Sequence, residues 1–535
     1  MSEEILFYNA RVFAGDKAEG PAADCFLVRG GRIVSTGVLT GTPPADAVDL
    51  GGRTVIPALC DVHTHPSWVA ETVGAAACVS PVVNNIEEMI EALRRHQAFG
   101  GGPHDWITGW GYDEGKLAEH RTPTRHDLDR VSTVQPVFVR RSDCHSAVCN
   151  TRALEIAGIT RETPDPAGGR FGRDPDGTPN GVLTEFSAAQ AVQRVMTQPA
   201  FENEVKAMLG CTEHYLSRGI STMTEMMANR HLLDVYREAC RRGFPIRTGL
   251  YLVWTGGADP YGMPPLTDEE KTGQSFIAGV KLFADGSVSG KTAWVSRPYR
   301  DGTFGFSTLP EETLAAAAAY ARRNGVQLSV HAMGDTAIEA IIAFFEKETP
   351  WLADRPSVRI EHATFISESQ ALRMKASPMH FGITTQIIFP YAEIEGYEAA
   401  LTPEAFSKIY PLRMIADRIP AAALSSDAPA TAWADPDDPM TSVMAAVTRR
   451  AFDGTDIVNS EALSREEALT FYTVRPMAVL PFEGSGALLP GNRADFAVLT
   501  DDIFSVPADE IDSVRVEEMW LGGVKTYQRP PAKQL

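Results

Sequence analysis

Short apolar strand signals alternate with helical patterns over most of this chain, and this alternation restricts the fold more than any other feature. Such alternation is typical of a parallel sheet covered by helices. Helical segments such as "PEETLAAAAAYARRNG" and "DTAIEAIIAFFEKET" separate the strands. With "TVIPALCDVHTH" the strands number eight, the count that closes a (β/α)8 barrel. The other seven are "GISTMTEM" (219–226), "IRTGLYLVW" (246–254), "FIAGVKLFADG" (276–286), "VQLSVHAMGD" (326–335), "SVRIEHAT" (357–364), "FGITTQII" (381–388) and "AAALSSDAP" (421–429).

The two ends of the chain carry a different strand pattern. In residues 1–55 and 486–535, apolar and polar residues alternate along short strands separated by glycine turns, as in "CFLVRGGRIVSTG" and "SVRVEEMWLGGVKTYQ". A period of two is typical of half-buried antiparallel strands. Each end is too short to bury a core alone. We therefore expect one composite β-sandwich built from both termini.

The barrel is expected to comprise residues 56–66 and 206–485, with a large insertion after its first strand. The insertion, residues 67–205, is richer in glycine, proline and turns, and it contains strands of its own in "DWITGWGYDE" and "PVFVRRSDCHSAV". It leaves the barrel directly after a strand end. We therefore expect an inserted lobe over the barrel mouth that forms a substrate lid, because loops at that face determine specificity.

The composition excludes several classes of partner. The chain has 535 residues, 44% of them hydrophobic, and a formal net charge of −20, which argues against nucleic acid and anionic membranes as partners. The acidic start "MSEEILFYNARVF" lacks the pattern of a signal peptide, and no apolar run is long enough to span a bilayer. Seven cysteines without metal-type spacing indicate reduced thiols and a cytoplasmic protein. The expected partner is a small-molecule substrate, and the sequence leaves open whether the chain forms a homodimer.

Polar side chains fall at the predicted carboxyl ends of five barrel strands, where barrel enzymes place their chemistry. His63 and His65 project side by side from the first strand, because alternate residues of a strand share a face. A histidine there can also be bonded to backbone groups, a lysine can pair with Asp285, and an aspartate can start a turn. The coincidence at five strand ends favours one shared site. The other strands contribute Lys281, His331, His362 and Asp427.

Four imidazoles and a carboxylate suit Zn²⁺ or another divalent metal, and their number allows one or two ions per chain. Two ions about 3.5–4 Å apart need a bridging ligand, and a lysine ammonium would repel them. A neutral amine can instead add CO₂ and become a carbamate, and burial near metals favours the neutral amine. We therefore expect Lys281, in the apolar strand "IAGVKLFADG", to be carboxylated.

Motifs along essentially the whole chain match one known family of enzymes. They are "DVHTHP", "GVKLFADGSVSGKTAW", "SVHAMGDTAI", "RIEHAT", "LSSDAP" and "GSGALLPGNRADFAVL". These segments resemble the amidohydrolase superfamily, in the branch called amidohydrolase family 3, with its N-substituted formamide deformylase-like metal-dependent hydrolases. That superfamily binds its metals through an HxH pair, a carboxylated lysine, two further histidines and an aspartate. The resemblance implies the ligand set His63, His65, Lys281, His331, His362 and Asp427.

Further segments match the same family at positions near the substrate. The segments "SDCHSAVCN" and "DGTPNGVLTE" correspond to its "DGH…N" and "GxPxGxLxE" patterns, which implies that His145 and Glu185 lie close to the substrate. Gln386 also matches a family position, although "QII" stands where "QP" is usual. Lys291 replaces the usual arginine of "GSRTAW". These departures leave the substrate preference free to differ from that of better-known members.

The resemblance implies hydrolysis of an amide-type, non-peptide C–N bond in an N-acyl or N-formyl small molecule by a metal-bound hydroxide. Asp427 would accept the proton of the hydroxide and pass it to the leaving nitrogen. His145 would stabilise the oxyanion or only order its loop, and Asp335 is a candidate for orienting the strand end at His331. Two alternatives stay open: hydrolysis of a lactone, another ester or a phosphoester at the same metals, and a non-catalytic binding protein on the same fold. The intact ligand set argues against the second.

Overall fold

The structure is a computed structural model that describes residues 4–15, 20–72, 74–166, 168–196, 199–482 and 484–531. The predicted composite of both termini includes residues 1–3, 16–19 and 532–535, which lie outside the described residues, as do residues 73, 167, 197, 198 and 483 of the other predicted parts. All elements below are given within the described ranges.

A parallel sheet of eight strands forms the centre of the molecule, and its strands follow one another in chain order. The eight parallel strands confirm the barrel sheet predicted from the strand–helix alternation. The strands are buried along nearly their whole length, as expected for a parallel sheet that is covered on both faces. They are β1 (Leu59–Thr64), β2 (Ile220–Ala228), β3 (Arg247–Val253), β4 (Ser275–Phe283), β5 (Gln327–Ala332), β6 (Val358–His362), β7 (Phe381–Thr385) and β8 (Ala422–Leu424).

The sheet is nearly closed, and its seam lies between β1 and β8. At the carboxyl ends of these strands, the N–H of Asp427 donates to the carbonyl of His63 at 2.8 Å. Elsewhere along the seam, the N–H groups of Cys60 in β1 and Leu424 in β8 donate instead to the carbonyls of Tyr472 and Phe471. The hydrogen bond from Asp427 to His63 therefore joins the two strands at the end where the predicted site lies.

Helices cover the outside of the sheet between most strands. The sequence predicts helix Glu311–Asn324 well, because acidic residues occupy its first turn and arginines its last turn. The helix ends at Gly325, which adopts the left-handed conformation at φ 63°. Between β3 and β4, the described chain has only the 3₁₀ turn Glu269–Lys271, so the alternation is incomplete there. The remaining helices around the barrel are Phe201–Gly210, Thr212–Ser217, Arg230–Arg241, Asp335–Phe345, Glu368–Ala376, Ile388–Ala392, Ile394–Ala400, Pro403–Phe406, Leu412–Arg418, Pro439–Thr448, Arg465–Thr470 and Val474–Val479, with 3₁₀ turns at Asn459–Glu461 and Ala508–Ser513.

Strands from both ends of the chain share one five-stranded sheet. Phe496–Leu499 pairs with Thr54–Pro57, and the rings of Phe7 and Phe26 pack on Phe496 with centroids 5.1 and 4.9 Å away. The core beside the barrel thus joins residues from both termini. The other strands of this sheet are Arg11–Val12, Val516–Leu521 and Val524–Gln528, and a second sheet contains Glu4–Tyr8, Cys25–Arg29, Arg32–Gly37 and Val48–Asp49.

Removal of residues 486–535 is expected to leave insoluble protein. The truncation deletes the pairing partner of Thr54–Pro57 and uncovers Phe7 and Phe26, both of which are buried. An unpaired strand edge and uncovered aromatic rings favour aggregation. The soluble fraction after expression measures the effect, and a soluble, active truncate would contradict it. The control Val524→Thr, at an exposed position of the same region, should leave solubility unchanged.

Residues 67–205 contain a six-stranded sheet. The predicted strand in "DWITGWGYDE" is Ile107–Tyr112. The segment "PVFVRRSDCHSAV", predicted as one strand, forms a hairpin of Val137–Arg141 and Ala147–Cys149, because the chain reverses at residues 142–146 with Cys144 at φ 59°. His145 consequently lies at the hairpin tip. The other elements are strands Ala76–Ala77, Arg170–Arg173 and Pro179–Thr184 and helices Pro66–Thr72, Ile86–Arg94, Arg125–Leu128, Thr151–Ala157 and Phe186–Gln193.

The three-part division at residues 55, 66, 205 and 485 stays a prediction. Within the described ranges, no helix combines the length and the apolar character needed to cross a bilayer. All seven cysteines are free thiols.

Candidate metal centre

One pocket at the carboxyl ends of the barrel strands contains all six predicted metal ligands. Its wall comes partly from the strand ends and partly from residues 67–205, which contribute aromatic and polar groups. The structure therefore brings together side chains that are far apart in the chain. The lining residues are His63, His65, Trp68, Asp143, His145, Phe186, Met227, Lys281, Phe283, Ser287, Val288, Ser289, His331, Met333, His362, Phe389, Glu393, Tyr397, Asp427 and Ala430.

Two histidines converge on one carboxylate at the seam of the barrel. The Nε2 atoms of His63 and His65 lie 3.2 and 2.9 Å from Oδ1 of Asp427. One ligand atom from each residue lies within 4.8 Å of the other two, and all three residues are buried. Their spacing fits a single divalent ion with nitrogen and oxygen ligands. The direct hydrogen bond between the ends of β1 and β8 holds this arrangement in place.

The protonation states of the site also suit a metal. Burial alone would raise the pKa of Asp427, but the adjacent His63 and His65 bring it well below its usual range. Burial lowers the pKa of His362 to about 3 and that of His331 well below its ordinary value. The carboxylate is therefore ionised and these imidazoles are neutral at pH 7, which are the states that bind divalent ions.

Two site residues adopt a backbone conformation that is unusual for side chains of their size. His362, the last residue of β6, has φ 72°, and Asp427, just beyond β8, has φ 57°. Non-glycine residues in this left-handed region cost free energy and concentrate at functional sites. The turn at His362 directs its ring into the pocket although Glu361, the preceding residue, also faces the barrel interior.

Lys281 is buried at the base of the pocket. Its Nζ lies 3.5 Å from Nε2 of His63, and burial lowers the pKa of the amine to about 8. The alternative pairing with Asp285 is wrong: within the described residues, no carboxylate oxygen lies within 4 Å of Nζ. Asp285 instead accepts the N–H groups of Met333 and Gly334 at 3.0 and 2.8 Å.

The remaining two histidines form the opposite side of the centre. The rings of His331 and His362 have centroids 4.4 Å apart. Nε2 of His331 lies 3.4 Å from Oδ1 of Asp285, so Asp285, and not the predicted Asp335, contacts this histidine. Asp335 accepts a hydrogen bond from the Ser296 N–H at 2.8 Å.

The carboxylate of Glu361, which is not in the predicted set of site residues, contacts the ring of His63. Nδ1 of His63 lies 2.6 Å from Oε2 of Glu361, whose other oxygen lies 3.0 Å from Nε of Arg359 and accepts the Ser329 hydroxyl at 2.7 Å. Arg359 and Glu361 are fully buried. The sequence does contain a signal for this pair. Arg359 and Glu361 are charged residues at alternate positions of the apolar strand "SVRIEHAT", and alternate positions of a strand share one face. Glu361 fixes the ring orientation of His63, as outer partners of metal-ligating histidines do.

Replacement of Glu361 by glutamine is expected to weaken metal binding about 10–100-fold, the usual cost of losing an outer partner of a ligand. A glutamine cannot accept the His63 proton as a charge-assisted partner, and it leaves the Arg359 guanidinium without its counter-charge. Competition with a fluorescent chelator measures the affinity. Asp335→Asn, which changes a carboxylate outside the pocket wall, serves as the control and should bind metal like wild type. Equal affinity in all three proteins would contradict the role given to Glu361.

The comparison with known proteins agrees with this centre. The profile of the amidohydrolase family matches residues 46–527 of the chain. The chain belongs to the amidohydrolase family. N-substituted formamide deformylase of Arthrobacter pascens is 26% identical over 98% of both chains, and the putative amidohydrolase YtcJ of Bacillus subtilis is 27% identical over 96% of this chain and 97% of its own. An uncharacterized metal-dependent hydrolase from Pyrococcus horikoshii has a similar structure, with a TM-score of 0.72 and 25% identity over 95% of this chain and 99% of its own.

In this member of the amidohydrolase family, the hairpin formed by residues 137–149 places His145 at the pocket. Nδ1 of His145 lies 3.2 Å from Oε2 of Glu185, and the ring packs on Phe186 with centroids 4.4 Å apart. Burial lowers the pKa of His145, but Glu185 and Asp143 outweigh burial and raise it above its ordinary value. Glu185, at φ 67°, precedes helix Phe186–Gln193 and is not part of the pocket wall. The predicted pair is therefore brought together, with His145 facing the pocket.

The other two predicted substrate residues do not line the pocket of the amidohydrolase. Oε1 of Gln386 lies 2.8 Å from Nδ1 of His362, so Gln386 orients this histidine. Nζ of Lys291 lies 3.0 Å from Asp301 Oδ2, and the Lys291 side chain is 39% exposed. The structure thus does not bring Lys291 to the site, because its ammonium is held by an exposed carboxylate elsewhere.

Proposed function

We propose that the chain is a metal-dependent hydrolase that cleaves an amide-type, non-peptide C–N bond in an N-acyl or N-formyl small molecule. The observation that carries this proposal is the convergence of His63, His65 and Asp427 at ligand spacing in a pocket. Membership of the amidohydrolase family supports hydrolysis, and the name of the formamide deformylase relative supports the choice of bond.

The proposed ligands hold one or two divalent ions, Zn²⁺ among the candidates. A bound divalent ion supplies a water of lowered pKa and polarises the substrate carbonyl. The lowered pKa of Lys281 leaves part of its amine neutral at pH 7, and a neutral amine could add CO₂ and release a proton to give a carbamate, whose oxygens would be available as metal ligands. The ligand set is His63, His65, Lys281, His331, His362 and Asp427.

The chain's own residues would then move protons and stabilise charge. Asp427, ionised and in contact with His63 and His65, would accept a proton from the attacking water and pass it to the leaving nitrogen. His145 holds its proton readily because its pKa is raised, and it donates to the developing oxyanion. Rings of Trp68, Phe186 and Phe389 supply apolar surface to the pocket wall.

A panel of substrates with different bonds tests this function. Metal-loaded protein is assayed with N-formyl and N-acyl amines, lactones, other esters and phosphoesters, and hydrolysis of the amides above the rate of a His63→Ala variant is expected. Turnover of lactones, other esters or phosphoesters alone would assign the other bond class. No turnover of any compound by protein that binds metal would favour a non-catalytic role.

Replacement of His145 by alanine is expected to lower kcat about 10²–10³-fold while leaving metal content unchanged. His145 lines the pocket but is no part of the proposed ligand set, and removal of one oxyanion donor has an effect of this size. Steady-state kinetics and elemental analysis measure the two quantities. His126→Ala, which removes an exposed histidine of the same insertion, is the control. Loss of metal in His145→Ala, with normal kinetics after metal is restored, would contradict the assignment.

A further inference from the structure

The pocket wall contains two carboxylates outside the proposed ligand set, those of Asp143 and Glu393. Asp143 already has its partners: Nη1 of Arg141 lies 2.9 Å from Oδ2, and the N–H groups of His145 and Ser146 donate to Oδ1 at 3.0 and 3.2 Å. Arg141 also pairs with two further carboxylates beside it. Its positive charge is therefore shared among three carboxylates, and it lowers the pKa of Glu393 only in part without pairing with it directly.

Glu393 is more than nine-tenths buried, and only one of its oxygens has a partner. Oε1 accepts the hydroxyl of Thr431 at 3.1 Å and the N–H of Ala432 at 3.2 Å. In the described part of the chain, Oε2 accepts no hydrogen bond, and no cationic side chain lies within 4 Å of the carboxylate. Burial and, to a smaller extent, nearby Asp113 raise the pKa of Glu393 to about 7, although Arg141 acts in the opposite direction. Such a carboxylate gains strongly from a cationic partner.

Among the described residues of the pocket wall, His145 has a raised pKa, and the carboxylates that raise it are those of Glu185 and Asp143. Within the described residues, the wall contains no arginine, and its one lysine, Lys281, lies beside His63 at the metal end. A substrate carboxylate placed near Glu393 would meet like charge, and no lysine or arginine of the described wall lies beside Glu393 to bind it. A substrate ammonium there would find Oε2 of Glu393 as an acceptor without a partner among the described residues.

We propose that Glu393 is a specificity residue that binds a cationic group of the substrate, so that the site takes small amides carrying an ammonium and disfavours those carrying a carboxylate. This inference rests on the proposed function only for the bond that is cleaved. The rival explanation is structural, since Oε1 of Glu393 holds the loop that follows Asp427 through Thr431 and Ala432.

Three formamides with the same number of methylene groups test the proposal. One ends in an ammonium, one in a methyl group and one in a carboxylate. Binding to the metal-loaded chain is measured by calorimetry, which needs no turnover, and kcat/KM is measured alongside. We expect the ammonium compound to bind most tightly and the carboxylate compound most weakly. A wild type that binds the three alike, or prefers the carboxylate, would overturn the proposal.

The variant Glu393→Gln separates recognition from structure. Its amide oxygen still accepts from Thr431 and Ala432, so the loop is kept, but the negative charge is lost. We expect the ammonium compound to lose about 10–100-fold in affinity, the range for a charge-assisted hydrogen bond, while the methyl compound changes little. Glu398→Gln, an exposed carboxylate on the following helix, is the control and should change neither. Equal losses for all three compounds would establish the structural role instead.

The two proposals fail in different ways. Cleavage of the methyl compound without any preference for the ammonium compound would refute the role of Glu393 and leave the amidase function standing. Selective binding of the ammonium compound, abolished in Glu393→Gln, with no cleavage of any amide, would support the role of Glu393 and refute the proposed bond.

Discussion

Replacement of Lys281 by alanine is expected to abolish hydrolysis, and short carboxylic acids such as acetate or propionate are expected to restore part of it. The Lys281 amine is buried 3.5 Å from His63, where an ammonium would repel a divalent ion, whereas a carbamate would supply two oxygens as ligands. The loss of kcat/KM should exceed the about 10–100-fold effect of an outer partner, because a direct ligand is removed. An added acid can occupy the vacated space and bridge the ions in its place.

Two further variants make this result specific. Lys281→Arg should be inactive and resist rescue, because the guanidinium stays charged and fills the space. Lys291→Ala removes a lysine that pairs with Asp301 outside the pocket, and it should retain activity near that of wild type. If added acids had no effect on Lys281→Ala and metal content stayed near one equivalent in wild type and variant alike, a single-metal centre without a carbamate would be indicated.

Removal of bound metal is expected to abolish activity and to lower the melting temperature. An ion held only by the folded state adds about 2.7 kcal/mol of stability when its free concentration is 100 times Kd. Elemental analysis of gently purified protein should find one to two equivalents of divalent metal, and dialysis against a chelator should reduce both stability and turnover together. Addition of Zn²⁺ should restore them.

The control for this experiment is the double variant His63→Ala/His65→Ala. It lacks two of the three side chains at ligand spacing, so neither chelator nor added Zn²⁺ should shift its melting temperature appreciably. A wild type that keeps its full activity after its metal has been removed, as verified by elemental analysis, would refute the metal-dependent mechanism.

The barrel and the six pocket residues could be predicted because both depend on local signals. Apolar runs of strand length predict the strands of the sheet. A polar residue at the carboxyl end of a strand is predicted to reach the pocket, because the carboxyl ends of all barrel strands lie at the same face. His63, His65 and Asp427 illustrate this, since their positions just beyond or within strand ends already place them at one face.

Side chains whose role depends on a distant partner could not be predicted in the same way. Glu361 touches His63 only because β6 lies across the barrel from β1, and the partners of Glu393 belong to a loop after β8. Lys291 is the opposite case. Its position in a family motif predicts a place near the substrate, but its ammonium pairs with Asp301 outside the pocket. The missing helix between β3 and β4 does have a local cause, because Pro260, Pro264 and Pro265 disfavour a helix in that segment.

The seam between the first and last barrel strands has a consequence for how the protein is made. His65 and Asp427 are 362 residues apart in the chain, yet their contact completes the ligand set. On the ribosome, the histidines of β1 emerge long before their carboxylate partner, and closing so long a loop is entropically costly until the intervening strands have assembled. If this site binds metal as proposed, loading is expected only after β8 has been made, and a chain that ends before β8 lacks Asp427 and cannot bind the ion through this set of side chains.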